Sequence, residues 1–215
     1  MADATLARRD AVPRLWAEFL GLYVGLPLLM ALALPPAWLW PVLGGVTLVA
    51  LALLAATPGF RWRTLTAGRV SWGQLAFVAL VTGLVCTLLV FWLLPGRFLA
   101  LPRRSTELWL AIMALYPFLS ALPQEVVFRA LFFERYGTLF PNRTVLVFVN
   151  GLAFAVAHLM FWNWVALTLC FAGGMIFALG YLRQGFAQAA LLHAAAGMIV
   201  FTTGLGTYFF HGAVG

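Results

Sequence analysis

The chain contains no lysine and only six acidic residues among 215. Charged residues make up 9% of it, against about 25% in an ordinary soluble domain, and 64% are hydrophobic. That balance excludes a soluble domain with a solvated surface: the solvent for most of this chain is lipid. The net charge of +7 comes from thirteen arginines scattered between apolar runs. Such scatter fits topology signals at the ends of membrane spans and excludes a nucleic-acid surface. Only two cysteines occur, Cys86 and Cys170, both inside apolar runs, so they read as buried thiols and exclude a disulfide framework. HExxH, GxSxG, a Walker loop and a dinucleotide fingerprint are all missing. So are internal repeats and low-complexity linkers, which leaves one integral membrane domain, residues 1–215.

What is present is a series of apolar segments, at roughly 19–35, 39–57, 75–94, 107–122, 145–160, 163–181 and 186–205, the fourth either ending there or continuing through 121–137 as one long or broken helix. The expected fold is an all-α, polytopic transmembrane bundle of about seven spans, with six or eight as alternatives. The polar N-terminal stretch with Arg8, Arg9 and Arg14 reads as the lead into a retained first helix, not a cleaved signal. Pro35, Pro36 and Pro41 bracket a tight hairpin between the first two spans. With seven spans, Arg8, Arg9, Arg14, Arg61, Arg63, Arg69, Arg135, Arg143 and Arg183 all fall on one side, giving a cytoplasmic N-terminus. The loop with Arg97, Arg103 and Arg104 breaks the pattern; either it re-enters or the count is off there.

Against this background the stretch "ALPQEVVFRALFFERYG", 121–137, is unusual. It places Glu125, Arg129, Glu134 and Arg135 within eleven residues. In a helix Glu125 and Arg129 share a face, with Gln124 about 100° to one side. An ionised group in hydrocarbon costs several kcal/mol, so it faces a partner or a cavity. The pair is either a structural pin between helices or a functional carboxylate ordered by an arginine. Glu134 and Arg135 read as the point where the helix leaves the membrane. Pro123 either sits in a first turn or kinks the incoming helix.

His158 and His193 lie in otherwise small and apolar segments, "NGLAFAVAHLMF" and "QAALLHAAAGMIV". A lone histidine there is usually a core residue; two, together with Glu125 and in separate segments, raise the prospect of one site. Ala189, Ala190 and Gly197 around His193 suit close helix approach. His211 reads as a tail residue, Gly173–Gly174 as a packing point or kink, and Trp162-Asn163-Trp164 as an interfacial turn.

These residues resemble the motifs of the CAAX prenyl protease and bacteriocin-processing (CPBP) family of intramembrane proteases. That family carries EExxxR, FxxxH and HxxxN or HxxxD on three helices. Here the first reads Gln124-Glu125-Val126-Val127-Phe128-Arg129, the second runs from Phe154 to His158, and the third from His193 to Gly197. The resemblance covers roughly 116–200. It departs from the pattern at Gln124, where the family has the acid that activates water, and at Gly197, where it has the Asn or Asp that steadies the oxyanion. Three explanations stay open: Glu125 carries the base role, another side chain substitutes, or catalysis has been lost.

The resemblance implies hydrolysis of a membrane-anchored peptide or precursor protein inside the bilayer. Glu125 is then the base, His158 orients water, His193 is an oxyanion donor with Gln124 or a backbone N–H near Gly197, and Arg129 positions the carboxylate. No cofactor is implied by this scheme; the alternative is zinc on Glu125, His158 and His193. The all-arginine, short-loop chain points to a bacterial cytoplasmic membrane. A transporter would favour paired repeats, and haem ligation by His158 and His193 would leave Glu125 and Arg129 unexplained. The stronger rival is a catalytically silent relative that binds a membrane peptide, or serves as a processing accessory or immunity protein.

Overall fold

A computed structural model describes residues 12–209; Arg8, Arg9 and His211 lie outside that range. Seven helices among the described residues are long and apolar enough to cross a membrane. They are α1 (Val12–Leu32), α2 (Pro36–Ala55), α3 (Trp72–Leu93), α4 (Thr106–Leu139), α5 (Arg143–Phe161), α6 (Trp164–Gln184) and α7 (Phe186–Thr203). The expected all-α bundle of seven spans is therefore observed. The fourth span takes the longer of its two readings: α4 continues through the charged stretch and is 34 residues long. At 1.5 Å per residue it is about 51 Å long, well beyond a hydrocarbon core of about 30 Å.

The bundle is partitioned inside out. Leu80 and Trp92 on α3 are each 72% exposed, whereas Glu125, Arg129, Asn150, Gln188 and His193 are buried. Apolar side chains facing outward and polar ones facing each other are what lipid requires. Helices α5, α6 and α7 are the most enclosed; α2 and α3 turn most of their surface outward.

Local chemistry sets the connections. Asn142 and Asn163 cap α5 and α6, their Oδ1 atoms accepting from Val145 N at 3.0 Å and Ala166 N at 2.8 Å. Asn163 also donates to Tyr208 O at 2.8 Å, and Trp162 Nε1 to Ala31 O at 3.2 Å, so the Trp-Asn-Trp turn ties α1, α6 and the segment after α7. Gly185 alone separates α6 from α7, at φ +103°, and a Cβ there would lie 2.9 Å from Ala67 O. Only glycine allows that corner. Gly174 and Gly151 bring α6 onto α5: a Cβ on Gly174 would meet Gly151 Cα at 2.9 Å. Helix α6 runs unbroken through the Gly pair, so the pair packs and does not kink. Cys86 and Cys170 are free and buried, as expected.

The basic loop after α3 forms a short helix, Ala100–Arg104, against the end of α7, with Leu99 N donating to Thr203 O at 3.1 Å. Since the span count holds, this loop remains the exception to the arginine pattern.

Glu134 and Arg135 do more than mark the end of a span. Arg135 meets Glu18 of α1 at 2.7 Å and donates to Leu53 O at 3.3 Å and Thr57 Oγ1 at 3.1 Å on α2 and just beyond it. Glu134 accepts from Tyr181 Oη of α6 at 3.0 Å. The end of α4 is thus fastened to three neighbours.

Candidate active site

Helix α4 contains two wide, π-helical turns, Pro117–Ala121 and Val126–Leu131, flanking the turn that carries Glu125. Pro117 and Pro123 both lie inside α4, where each lacks the N–H a regular α-turn would use. The widened turn leaves main-chain carbonyls for side-chain donors. Tyr23 Oη of α1 donates to Val127 O at 2.7 Å, and Asn150 Nδ2 of α5 donates to Phe128 O at 2.7 Å.

Glu125 and Arg129 are both fully buried and face each other, Arg129 Nε lying 3.2 Å from Glu125 Oε2. The contact is an ion pair without hydrogen-bond alignment, for neither atom has a hydrogen-bond partner among the described residues. Arg129 NH1 donates to Asn150 Oδ1 at 3.0 Å and to Phe128 O at 3.2 Å. The guanidinium carbon lies 5.1 Å from the ring centroid of Phe154 and 5.6 Å from that of Phe177. Aromatic faces thus take up part of a charge that no water surface screens.

The other carboxylate oxygen, Glu125 Oε1, lies 2.8 Å from His193 Nδ1 on α7. With Glu125 ionised, the carboxylate can only accept, so His193 donates from Nδ1. The imidazole stacks on Phe177 at 4.9 Å and 12°, and meets Phe154 edge-on at 5.3 Å. The orientation of His193 and the nitrogen it donates from are therefore set by α4, α5 and α6 together.

His158 joins through an aromatic neighbour. Its Nδ1 donates to Phe154 O at 2.7 Å, because a carbonyl only accepts, which leaves Nε2 as an acceptor. The Phe154 ring stands 4.7 Å from His158 and 5.3 Å from His193, so it contacts both imidazoles. Of the expected residues, Glu125, Arg129, His193 and Phe154 converge directly, and His158 borders them without a hydrogen bond to Glu125 or His193. Gln124 turns aside: its Nε2 donates to Ser120 Oγ at 2.9 Å, and its buried Oε1 has no hydrogen-bond partner among the described residues.

The alternative zinc set does not fit. No group of three or more His, Cys, Asp and Glu side chains among the described residues is arranged around a metal position. Both Glu125 oxygens are already turned to Arg129 and His193, and a buried guanidinium beside the carboxylate opposes a second cation.

Two residues escaped the sequence reading. Asn150 is fully buried and holds Arg129; its spacing of four and eight residues from Phe154 and His158, which puts all three on one face of α5, was the available signal. Tyr116 packs edge-on against His193 at 6.1 Å and over Gly197. Gly197 therefore receives a ring from α4, where a close approach of two helix backbones had been expected.

A polytopic helical bundle with a carboxylate, a guanidinium and an imidazole buried together at its centre is the class this fold and site define. Residues 105–199 match the family described as type II CAAX prenyl endopeptidase Rce1-like, and over that stretch the chain is homologous to the CAAX protease (CPBP) family. The matched stretch contains all of the converging side chains. Comparison with curated proteins and with solved structures returns no match.

Proposed function

We propose that this protein is an intramembrane peptidase that hydrolyses a membrane-anchored peptide or precursor by water activated at Glu125. The observation that carries the reading is the buried hydrogen bond between Glu125 and His193, 68 residues apart, beside an arginine held by Asn150. A buried carboxylate joined to an imidazole is a costly arrangement for stability alone and a useful one for moving protons.

In this reading water oxygen attacks the scissile carbonyl carbon, and the proton it loses goes to the Glu125–His193 pair. On collapse of the tetrahedral adduct the C–N bond breaks and that proton passes to the leaving amine. Arg129 keeps the carboxylate in place and takes no proton. His158, with Nε2 as acceptor, orients the water. Homology over residues 105–199 supports the reaction class. We assign the chain to a bacterial cytoplasmic membrane with its N-terminus in the cytoplasm, on the strength of the arginine distribution in short loops.

The test compares membrane peptides released in cells carrying the unmodified protein with those in cells carrying Glu125→Ala. Peptides that disappear with Glu125 are expected. One observation favours the rival, a silent peptide-binding relative: Gln124 hydrogen-bonds to Ser120 and stands apart from Glu125. If cleavage appears only in Gln124→Glu, the natural chain is a binder.

A further inference from the structure

We propose that the hydroxyl of Tyr116 is the hydrogen-bond donor to the oxyanion, held at the point on α7 that Gly197 leaves without a side chain. The proposal rests on the peptidase reading above and adds a catalytic residue to it.

Position carries the first part. Gly197 lies four residues beyond His193, so the two face the same side of α7. A Cβ built on Gly197 would overlap the ring and the hydroxyl oxygen of Tyr116. The phenol is therefore seated on bare backbone, and any other residue at 197 would push it out. The same ring meets His193 edge-on, with centroids 6.1 Å apart and planes at 73°. One tyrosine from α4 thus touches both ends of the His193–Gly197 turn.

Hydrogen bonding carries the second part. Tyr23, Tyr136 and Tyr181 all donate their hydroxyls, to Val127 O, Glu18 and Glu134. Tyr116 makes aromatic contacts with His193 and Phe201, and its hydroxyl has no hydrogen bond to any described residue. Its O–H is free to serve a bound molecule, a use that suits an enclosed phenol.

Chemistry carries the third. Attack on a carbonyl puts negative charge on its oxygen, and fixed donors aimed at that oxygen lower the barrier. Around His193 stand Phe154, Phe177, Glu125 and Tyr116. The phenylalanines donate nothing, an ionised carboxylate only accepts, and His193 Nδ1 is spent on Glu125. Tyr116 brings the O–H. Where the family pattern carries Asn or Asp, this chain has a glycine and a tyrosine reaching in from another helix.

Tyr116→Phe separates chemistry from packing, because it keeps the ring on Gly197 and removes only the donor. The assay uses the purified full-length protein in detergent and a synthetic peptide spanning a cleavage site that depends on Glu125. Loss of one oxyanion donor lowers kcat by about 10²-fold. That fall is expected with KM and the melting temperature unchanged. An unchanged kcat, or a change confined to KM, overturns the donor role. The pair Tyr116→Ala with Gly197→Asn returns a polar donor to the same point from α7, and is expected to exceed Tyr116→Ala alone by at least about tenfold. A pair no better than the single variant counts against the position assigned here. If Glu125→Ala cells release the same peptides as unmodified cells, the peptidase reading fails and this inference falls with it; if only Tyr116→Phe is silent in its effect, the peptidase reading stands alone.

Discussion

Arg129 and Arg135 lie six residues apart on α4, and each faces a glutamate, yet the two pairs are built differently. Arg135 reaches across to another helix: Glu18 holds it through two oxygens at 2.7 and 3.1 Å, and Leu53 O and Thr57 Oγ1 take further donors. Glu18 has a second cation as well, Arg14 at 2.9 Å, largely exposed. Arg129 pairs within its own helix, at 3.2 Å and without hydrogen-bond alignment, and its NH2 has no hydrogen-bond partner among the described residues. The outer pair is satisfied, redundant and joins helices. The inner pair is fully buried, under-satisfied and, among the described residues, gains its interhelical bonds through His193 and Asn150. Redundancy marks a clasp; unused bonding capacity deep in a bundle marks a candidate site.

The comparison breaks if the inner pair proves expendable. Asn150→Ala removes the acceptor from Arg129 NH1 and the donor from Phe128 O together, leaving a buried cation with less compensation. Leaving a buried charged donor unsatisfied costs more than the roughly 1–3 kcal/mol of a neutral group, so thermal unfolding in detergent is expected to fall sharply. Release of Glu125-dependent peptides should fall more than about tenfold in the protein that remains folded, because a displaced Arg129 no longer fixes the carboxylate. A variant that unfolds and cleaves like the unmodified protein removes Asn150 from the site.

Arg135→Ala probes the other side with a smaller effect. Glu18 keeps Arg14 and the Tyr136 hydroxyl at 3.4 Å, so no uncompensated buried carboxylate is left. The expected loss is about 2 kcal/mol, below the range for a stranded charge. Peptide release per folded molecule should stay within about threefold. Loss of cleavage with unchanged melting would erase the distinction between clasp and site.

How much of this was legible in the sequence follows from range and rarity. Seven spans could be read because runs of apolar residues are local facts, and Glu125, Arg129 and His193 stood out because ions are rare in an apolar chain. Whether α4 ends near 122 or runs on through the charged stretch stays open in the sequence, since Pro123 and the polar residues after it lower the local hydropathy; widened turns carry the helix through. Asn150 drew no notice because an uncharged amide is not rare enough to stand out. Tyr116 was hidden by the abundance of aromatics, which in a membrane chain suggest interfacial anchors. Glu18 and Arg135 are 117 residues apart, and no spacing rule joins residues at that distance. Gly197 was misjudged for a physical reason: a small residue on a helix signals a close neighbour, without saying whether that neighbour is a backbone or a ring.

The smallest expected effect is at the α4–α6 contact, and it sharpens what a clasp is worth in lipid. Tyr181 Oη donates to Glu134 at 3.0 Å while its ring stacks on Phe133 at 5.2 Å and 22°. Tyr181→Phe removes the donor and keeps the stack. Hydrogen bonds between membrane helices average about 0.6 kcal/mol, because the separated helices find other partners. For a chain of this length that is a fall of about 1–2 °C in melting temperature. Cleavage should be unchanged, since Glu134 lies nine residues past Glu125 and belongs to the outer network. A drop of several degrees would mean that Glu134 depends on Tyr181 as Arg129 depends on Asn150, and the line between the two regions would have to be drawn further along α4.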